Sequence, residues 1–280
     1  MKTKLPEELT SNVPQTKWGK ILLATPVVMT VIATLLAGLA SSEMTRAQYD
    51  RALGAQLQSK AGDQWGYFQA KKLRGAMQQN SLELLAATAD IHPLDNPTLG
   101  KIPAPAALNV DSKVEAALQA MEKEKPETEI AGLLKPVDDN SLAAALQTAK
   151  DNALAFDDAI APASQALDQL EKSLPAGDKA AARDLTAARM RYSAARYDAE
   201  ARLNQSIANL YELQVRKANI SAERHHKRSG KFFFGMLAAQ AAVIVSTFAI
   251  AAQKRSFLWM LASAAGLAAV IFAIYVYLRV

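Results

Sequence analysis

The side chains best suited to chemistry are few in this chain, and they gather in two places. The first is a basic run in which Arg224, His225, His226, Lys227, Arg228 and Lys231 lie within eight residues. Adjacent helical residues point apart, so the two histidines do not present a pair of ligands to one metal ion. The run fits a lipid surface better, because it immediately precedes an apolar segment. Basic residues there hold anionic headgroups at about 1 kcal/mol each, or anchor a helix end by extending to the interface. All six are therefore candidate headgroup contacts. His92 falls among prolines and reads as a solvated loop residue.

The second place is the stretch 59–71. Ala55, Ser59, Gly62, Gly66 and Ala70 recur at steps of three and four, so a helix puts them on one side. A glycine in a helix costs about 1 kcal/mol relative to alanine, and close packing offsets that cost. Trp65 and Phe68, three apart on a neighbouring side, supply the aromatic surface. These seven residues form a predicted helix-packing seam. Asp63, Gln64 and Tyr67 are spaced for bonds along the same helix.

Catalytic patterns do not occur. The sequence has no Gly-rich phosphate loop, no Gly-x-Ser-x-Gly elbow and no His-Glu-x-x-His. It has no cysteine, which removes disulfides, thiolate metal sites and a cysteine nucleophile. The acid pairs Asp138-Asp139 and Asp157-Asp158 read as caps or solvated surface. The expectation is a protein that is not an enzyme and takes no cofactor or metal.

The elements that position these residues follow from charge and proline. Segments 21–40, 232–252 and 257–278 contain no charged residue. Each has the roughly 20 residues that a helix needs to cross a bilayer. Only Gln253, Lys254, Arg255 and Ser256 separate the last two, which predicts a tight transmembrane hairpin. Segment 21–40 ends in small residues, as a signal peptide does, but its length predicts a retained anchor. Residues 1–20 form a flexible tail.

Residues 41–89 lack proline and favour helix, continuing the first span as a rod. Residues 178–231 form a second rod running into the second span. Leu185, Tyr192, Ala199, Leu213 and Ile220 recur there at multiples of seven, with Leu203, Ile207 and Leu210 nearby, which is coiled-coil spacing. At roughly 1.5 Å per residue, each rod reaches on the order of 70–80 Å. Between them, residues 90–177 hold eight of the eleven prolines. They predict a loop and short helices broken at Pro126, Pro136, Pro162 and Pro175. Asp138 or Ser141 caps the longest of these, and Gly177-Asp178 stops one helix and starts the next.

The formal net charge is +5. The N-terminal tail, the hairpin turn and Arg279 account for all of it, leaving 41–231 neutral. The excess lies at membrane edges, which excludes a nucleic-acid footprint.

Residues Ser59-Lys60-Ala61-Gly62-Asp63-Gln64-Trp65-Gly66-Tyr67-Phe68-Gln69-Ala70-Lys71 resemble the signature of an uncharacterised bacterial membrane-protein family, a domain of unknown function. The likeness extends to the basic His225–Arg228 stretch and the Lys254-Arg255…Leu258-Trp259 turn. It covers roughly 20–90 and 205–278. Gly62 and Gly66 stand where the family has Ser and Ala, and the middle is longer. The resemblance implies architecture and membrane location, and no activity.

The predicted fold is all-α, with three transmembrane helices, a long antiparallel coiled-coil-like stalk and short distal helices. The expected function is a noncatalytic structural or interaction element of the cell (inner) membrane. Its partners are the lipid bilayer and a second copy or another membrane protein, with no nucleic acid. The alternative is a sensor or accessory subunit whose distal helices bind a ligand. Lys and Arg in the short segments place the N-tail and hairpin turn in the cytoplasm and the stalk outside.

Overall fold

The structure is a computed structural model that describes residues 17–94, 102–251 and 257–279. The expected flexible tail up to residue 16, part of the proline loop and the hairpin turn lie outside the described residues.

Among the described residues the regular structure is all helical, with no strand. Six helices follow one another: α1 (Lys17–Thr88), α2 (Ser112–Glu122), α3 (Glu127–Leu134), α4 (Asp139–Ser173), α5 (Lys179–Ala251) and α6 (Phe257–Arg279). The 72 residues of α1 contain one proline, Pro26, in an early turn. The 73 residues of α5 contain none. Gly177 turns the chain with φ +94°, a conformation costly for residues with a Cβ. The Asp178 carboxylate then accepts from the Ala181 N–H at 3.0 Å and starts α5.

Among the described residues, two helices are long and apolar enough to cross a membrane, by length and composition: α1 over Ala24–Thr88 and α5 over Lys179–Ile250. Of their apolar windows, 17% and 28% are buried within the structure. α6 contains a shorter apolar stretch, Met260–Phe272.

The chain divides into two compact units, one from Met1–Arg51 with Ile220–Val280, the other Ala52–Asn219. In the first, α1, α5 and α6 each contribute one alanine to a shared centre: Ala33, Ala239 and Ala269. Leu36, Ala40 and Phe232 form a neighbouring cluster. The approach is close. A Cβ on Gly266 would lie 2.8 Å from Met29 Sδ, and one on Gly235 would lie 3.3 Å from Leu36 Cδ1. Small residues at such crossings let helices gain dispersion contacts that larger side chains would block.

In the second unit the proline reading needs correction. α4 runs 35 residues straight through Pro162. Proline removes one backbone hydrogen bond and crowds the preceding turn. Here the residues on both sides are pinned. Phe156 and Ile160 pack with Ala199 and Leu203 of α5, while Ala163 and Leu167 pack with Leu185 and Tyr192. The Tyr192 hydroxyl donates to the Ile160 carbonyl at 3.0 Å and lies 2.7 Å from Ser164 Oγ. Asp138 is the N-cap residue of α4, but its side chain makes no capping hydrogen bond. On α5, Leu185, Tyr192, Ala199, Leu203, Ile207, Leu210 and Leu213 are buried. Ile220 is half-buried.

Candidate functional site

In each unit the long helices bring polar side chains together. In the first unit, His225, Arg228 and Ser229 share a face of α5, and Glu43 and Asp50 lie seven residues apart on α1. His225 Nδ1 is 2.6 Å from Glu43 Oε2, and Nε2 is 4.0 Å from Asp50 Oδ2. Arg228 Nη1 and Arg46 Nη1 approach Glu43 Oε1 at 3.7 and 3.9 Å. Ser229 Oγ donates to the Ala40 carbonyl at 2.7 Å. Glu43 is 7% exposed and Ser229 4%. A buried carboxylate is tolerated only when charged and polar groups surround it, and this one collects a ring nitrogen and two guanidinium groups. The arrangement clasps α1 to α5.

This geometry divides the predicted headgroup set. His225 and Arg228 turn inward to Glu43. Arg224, His226 and Lys227 are exposed, with Lys227 paired to Glu223 at 3.3 Å. Lys231 is half-buried, its Nζ 5.7 Å from the centroid of the Tyr275 ring, a cation–π contact.

In the second unit, two ladders of charge tie α1 to α5. Trp65 Nε1 donates to Glu212 Oε1 at 2.7 Å, and Glu212 Oε2 accepts from Arg216 at 3.0 Å. Arg216 also donates to Glu127 of α3, at 3.1 Å. Burial opposes the Arg216 charge, but hydrogen bonds to Glu212 and Glu127 outweigh it and raise its pKa. Deeper in, Glu200 accepts from both Lys71 and Arg196. Burial works against the Glu200 carboxylate, and the bonds from Lys71 and Arg196 more than offset it, so its pKa falls below the ordinary value. Arg196 responds in kind: burial opposes its charge, yet the Glu200 bond raises its pKa. Asp198, held by Lys72 at 2.6 Å and by Arg202 at 2.7 Å, is also lowered, chiefly by the Lys72 hydrogen bond. Lys217 Nζ donates to the carbonyls of Leu134 and Val137 at and just past the C-terminal end of α3, where a cation suits the helix dipole.

The predicted seam is displaced within the chain. Ala55, Ser59, Gly62, Gly66 and Ala70 are all exposed, and a Cβ on Gly62 or Gly66 would meet nothing within 4 Å. Trp65 and Phe68 are half-buried and touch edge to face, with centroids 5.4 Å apart. The close-packed positions lie on the opposite side. Ala61 is fully buried, a Cβ on Gly54 would lie 3.1 Å from Asn219 Oδ1, and one on Gly75 would lie 3.5 Å from the Ala194 carbonyl. Spacing alone does not say which small-residue side faces the same chain. Asp63 and Tyr67 make no bond with each other, and Gln64 Oε1 is buried without a partner.

Two open grooves flank the Glu200 ladder. One of about 450 Å³ is lined by Gly75, Ala76, Ala194 and Ala195, with Lys72 and Arg191. The other, about 300 Å³, lies among Tyr67, Asp157, Arg196, Glu200 and Asn204. Among the described residues no three His, Cys, Asp or Glu side chains are grouped to hold a metal ion. His92 is exposed, and its backbone N–H donates to Asp184 at 3.0 Å. Sequence reasoning missed Glu43 and Glu200, since the partners that tie each to the other long helix, His225 and Lys71, lie more than a hundred residues away.

A family model described as a domain of unknown function (DUF4337) matches residues 22–168. No curated protein matches the chain, and no solved structure does.

Proposed function

We propose that this chain, which belongs to the DUF4337 family, is a noncatalytic integral membrane protein acting as a structural or interaction element. Its three uncharged segments cross the bilayer, and the rest of its two long helices forms an antiparallel stalk. The observation that carries this reading is the outer surface of the first unit. Val27, Val31, Leu35, Phe234, Phe248, Leu267 and Leu278 are exposed around a centre of alanines. A water-soluble domain rarely leaves so much apolar surface open, whereas lipid solvates it at no cost.

The stalk reading is supported by the order of contacts in the second unit. Position 54 meets 219, 65 meets 212, and 71 meets 200, so numbers rise on one helix as they fall on the other. Noncatalytic action is supported by how the covered carboxylates are used, since buried Glu43 and Glu200 and half-buried Glu212 are each engaged by cations or donors. Self-association follows from the uncovered small-residue side of α1.

Alkaline carbonate extraction tests the membrane reading. The chain should stay in the pellet and dissolve only with detergent. Release into the supernatant overturns it. Light scattering in mild detergent should then give more than one copy per particle, and a monomer overturns self-association.

A second reading is favoured by the groove at Tyr67, Asp157 and Glu200. There the protein is a sensor or accessory subunit, and a polar ligand seated against α4 and α5 shifts the stalk.

A further inference from the structure

We infer that the first unit binds the phosphate headgroup of an anionic phospholipid, on the shoulder where α1 and α5 leave their apolar segments, with Arg46, Arg224 and Arg228 as its contacts. A lipid site here presupposes the membrane reading just proposed, to which it adds a lipid class and a place.

Three guanidinium groups gather on this shoulder without hydrogen-bond acceptors. Glu43 is the acid between two of them, and its Oε2 is taken by His225 at 2.6 Å. Arg228 and Arg46 both face the other oxygen, Oε1, at 3.7 and 3.9 Å, too far for a hydrogen bond. Arg228 Nε is buried with no acceptor. Arg224, one turn from Arg228 on the same side of α5, is exposed and has no ion pair among the described residues. Unmet donors beside a single carboxylate call for further anionic oxygens. A phosphate supplies them in the geometry that a planar guanidinium takes two at a time.

Charge and depth agree. Residues 41–51 and 220–231 hold six Lys and Arg against three Asp and Glu. Lys227 is paired with Glu223, so the excess falls on the arginines and Lys231. Lys231, seven residues from Arg224, lies roughly 10 Å nearer the apolar span and rests on the Tyr275 ring of α6. On α1, Leu35, Leu39 and Arg46 follow at steps of four and seven, which return to one side of a helix, and all three are exposed. Leucines therefore continue from the arginine down the proposed first span. A lipid seated here has cations at its phosphate and leucines along its acyl chain. A soluble anion would gain only the cations, so the lipid is the occupant that fits the whole surface.

The experiment uses the full chain in mild detergent, with bound lipid counted by native mass spectrometry after addition of phosphatidylglycerol or phosphatidylcholine. Phosphatidylglycerol should be retained several-fold more than phosphatidylcholine. Arg224→Gln removes a group with no ion pair in the chain, so it leaves the fold intact, and it should weaken retention about fivefold. Arg46→Gln combined with Arg228→Gln should abolish the preference; if that variant does not fold, Arg224→Gln decides. Lys227→Gln should leave the preference in place, and a loss there equal to that of Arg224→Gln would mean diffuse attraction to acidic lipid and overturn the site. An undiminished preference in Arg224→Gln overturns it too. Inorganic phosphate that displaces the retained lipid would make this a site for a soluble anion and overturn the lipid assignment. Equal retention of both lipids by a chain that stays in the carbonate pellet overturns this inference alone, whereas release from the pellet overturns the membrane reading with it.

Discussion

Among the described residues, Glu200 is the buried carboxylate of the second unit. It is 6% exposed and bridges Lys71 of α1 to Arg196 of its own helix. Replacing it with Gln keeps the shape but leaves two cations without an anion between them. An unmatched charge of this kind costs about 1–3 kcal/mol. Its pKa is lower in the folded chain than the ordinary value of 4.5. The unfolded chain therefore binds the proton more tightly, so the stabilisation is complete above that ordinary value. It is lost as pH falls through the depressed folded value. Asp198 has the same sign. Melting temperature in detergent should thus fall in acid for the native chain. Glu200→Gln should melt lower at neutral pH and lose part of that acid dependence. Equal acid slopes for both proteins would show that the Glu200 bridge does not contribute.

At the scale of the element, α4 keeps a proline inside a 35-residue helix because its apolar side is fixed before and after the break. The conflict between local preference and packing is measurable. Pro162→Ala restores the missing donor without touching the buried Ile160 or Ala163, and should stabilise the fold by about 1–3 kcal/mol. A lower melting temperature would mean that the ring itself fills space that alanine leaves empty. This conflict also explains what was legible in the sequence. The long helices were, since absence of proline over fifty residues constrains the backbone by itself. The bend at Gly177-Asp178 was, since both residues act locally. Pro162 was misread because the contacts that override it come from α5, a different part of the chain. Likewise the spacing around Gly62 announced a packing side but not its partner. Gly54 and Gly75, the glycines that α5 does approach, stand with Ala61, Phe68 and Leu82 on a repeat of seven that the small-residue spacing around Gly62 overshadowed. The inward turn of His225 was invisible for the same reason: Glu43, its partner, lies at the other end of the chain.

For the whole molecule, the open question with the sharpest physical lever is which side of the membrane the residues between the first two proposed spans occupy. Short segments set orientation through Lys and Arg, whereas long domains translocate largely regardless of charge. The short segments are the N-terminal tail, with Lys2, Lys4, Lys17 and Lys20, and the hairpin turn, with Lys254 and Arg255. Against them stands only Arg279 beyond the last span. The basic residues around 224–231 pull the other way, but they belong to the long domain, and two of them are engaged with Glu43. The expected arrangement is a cytoplasmic tail and turn, with α2, α3 and α4 outside. Asp138 offers a clean reporter, because it is exposed and its side chain makes no capping bond, so Asp138→Cys disturbs little. On intact cells a membrane-impermeant maleimide should label Asp138→Cys without permeabilisation, and should label Ser11→Cys only after it. The reverse pattern would place α2, α3 and α4 in the cytoplasm. The basic run of α5 would then be the determinant that outweighs six charges in the short segments.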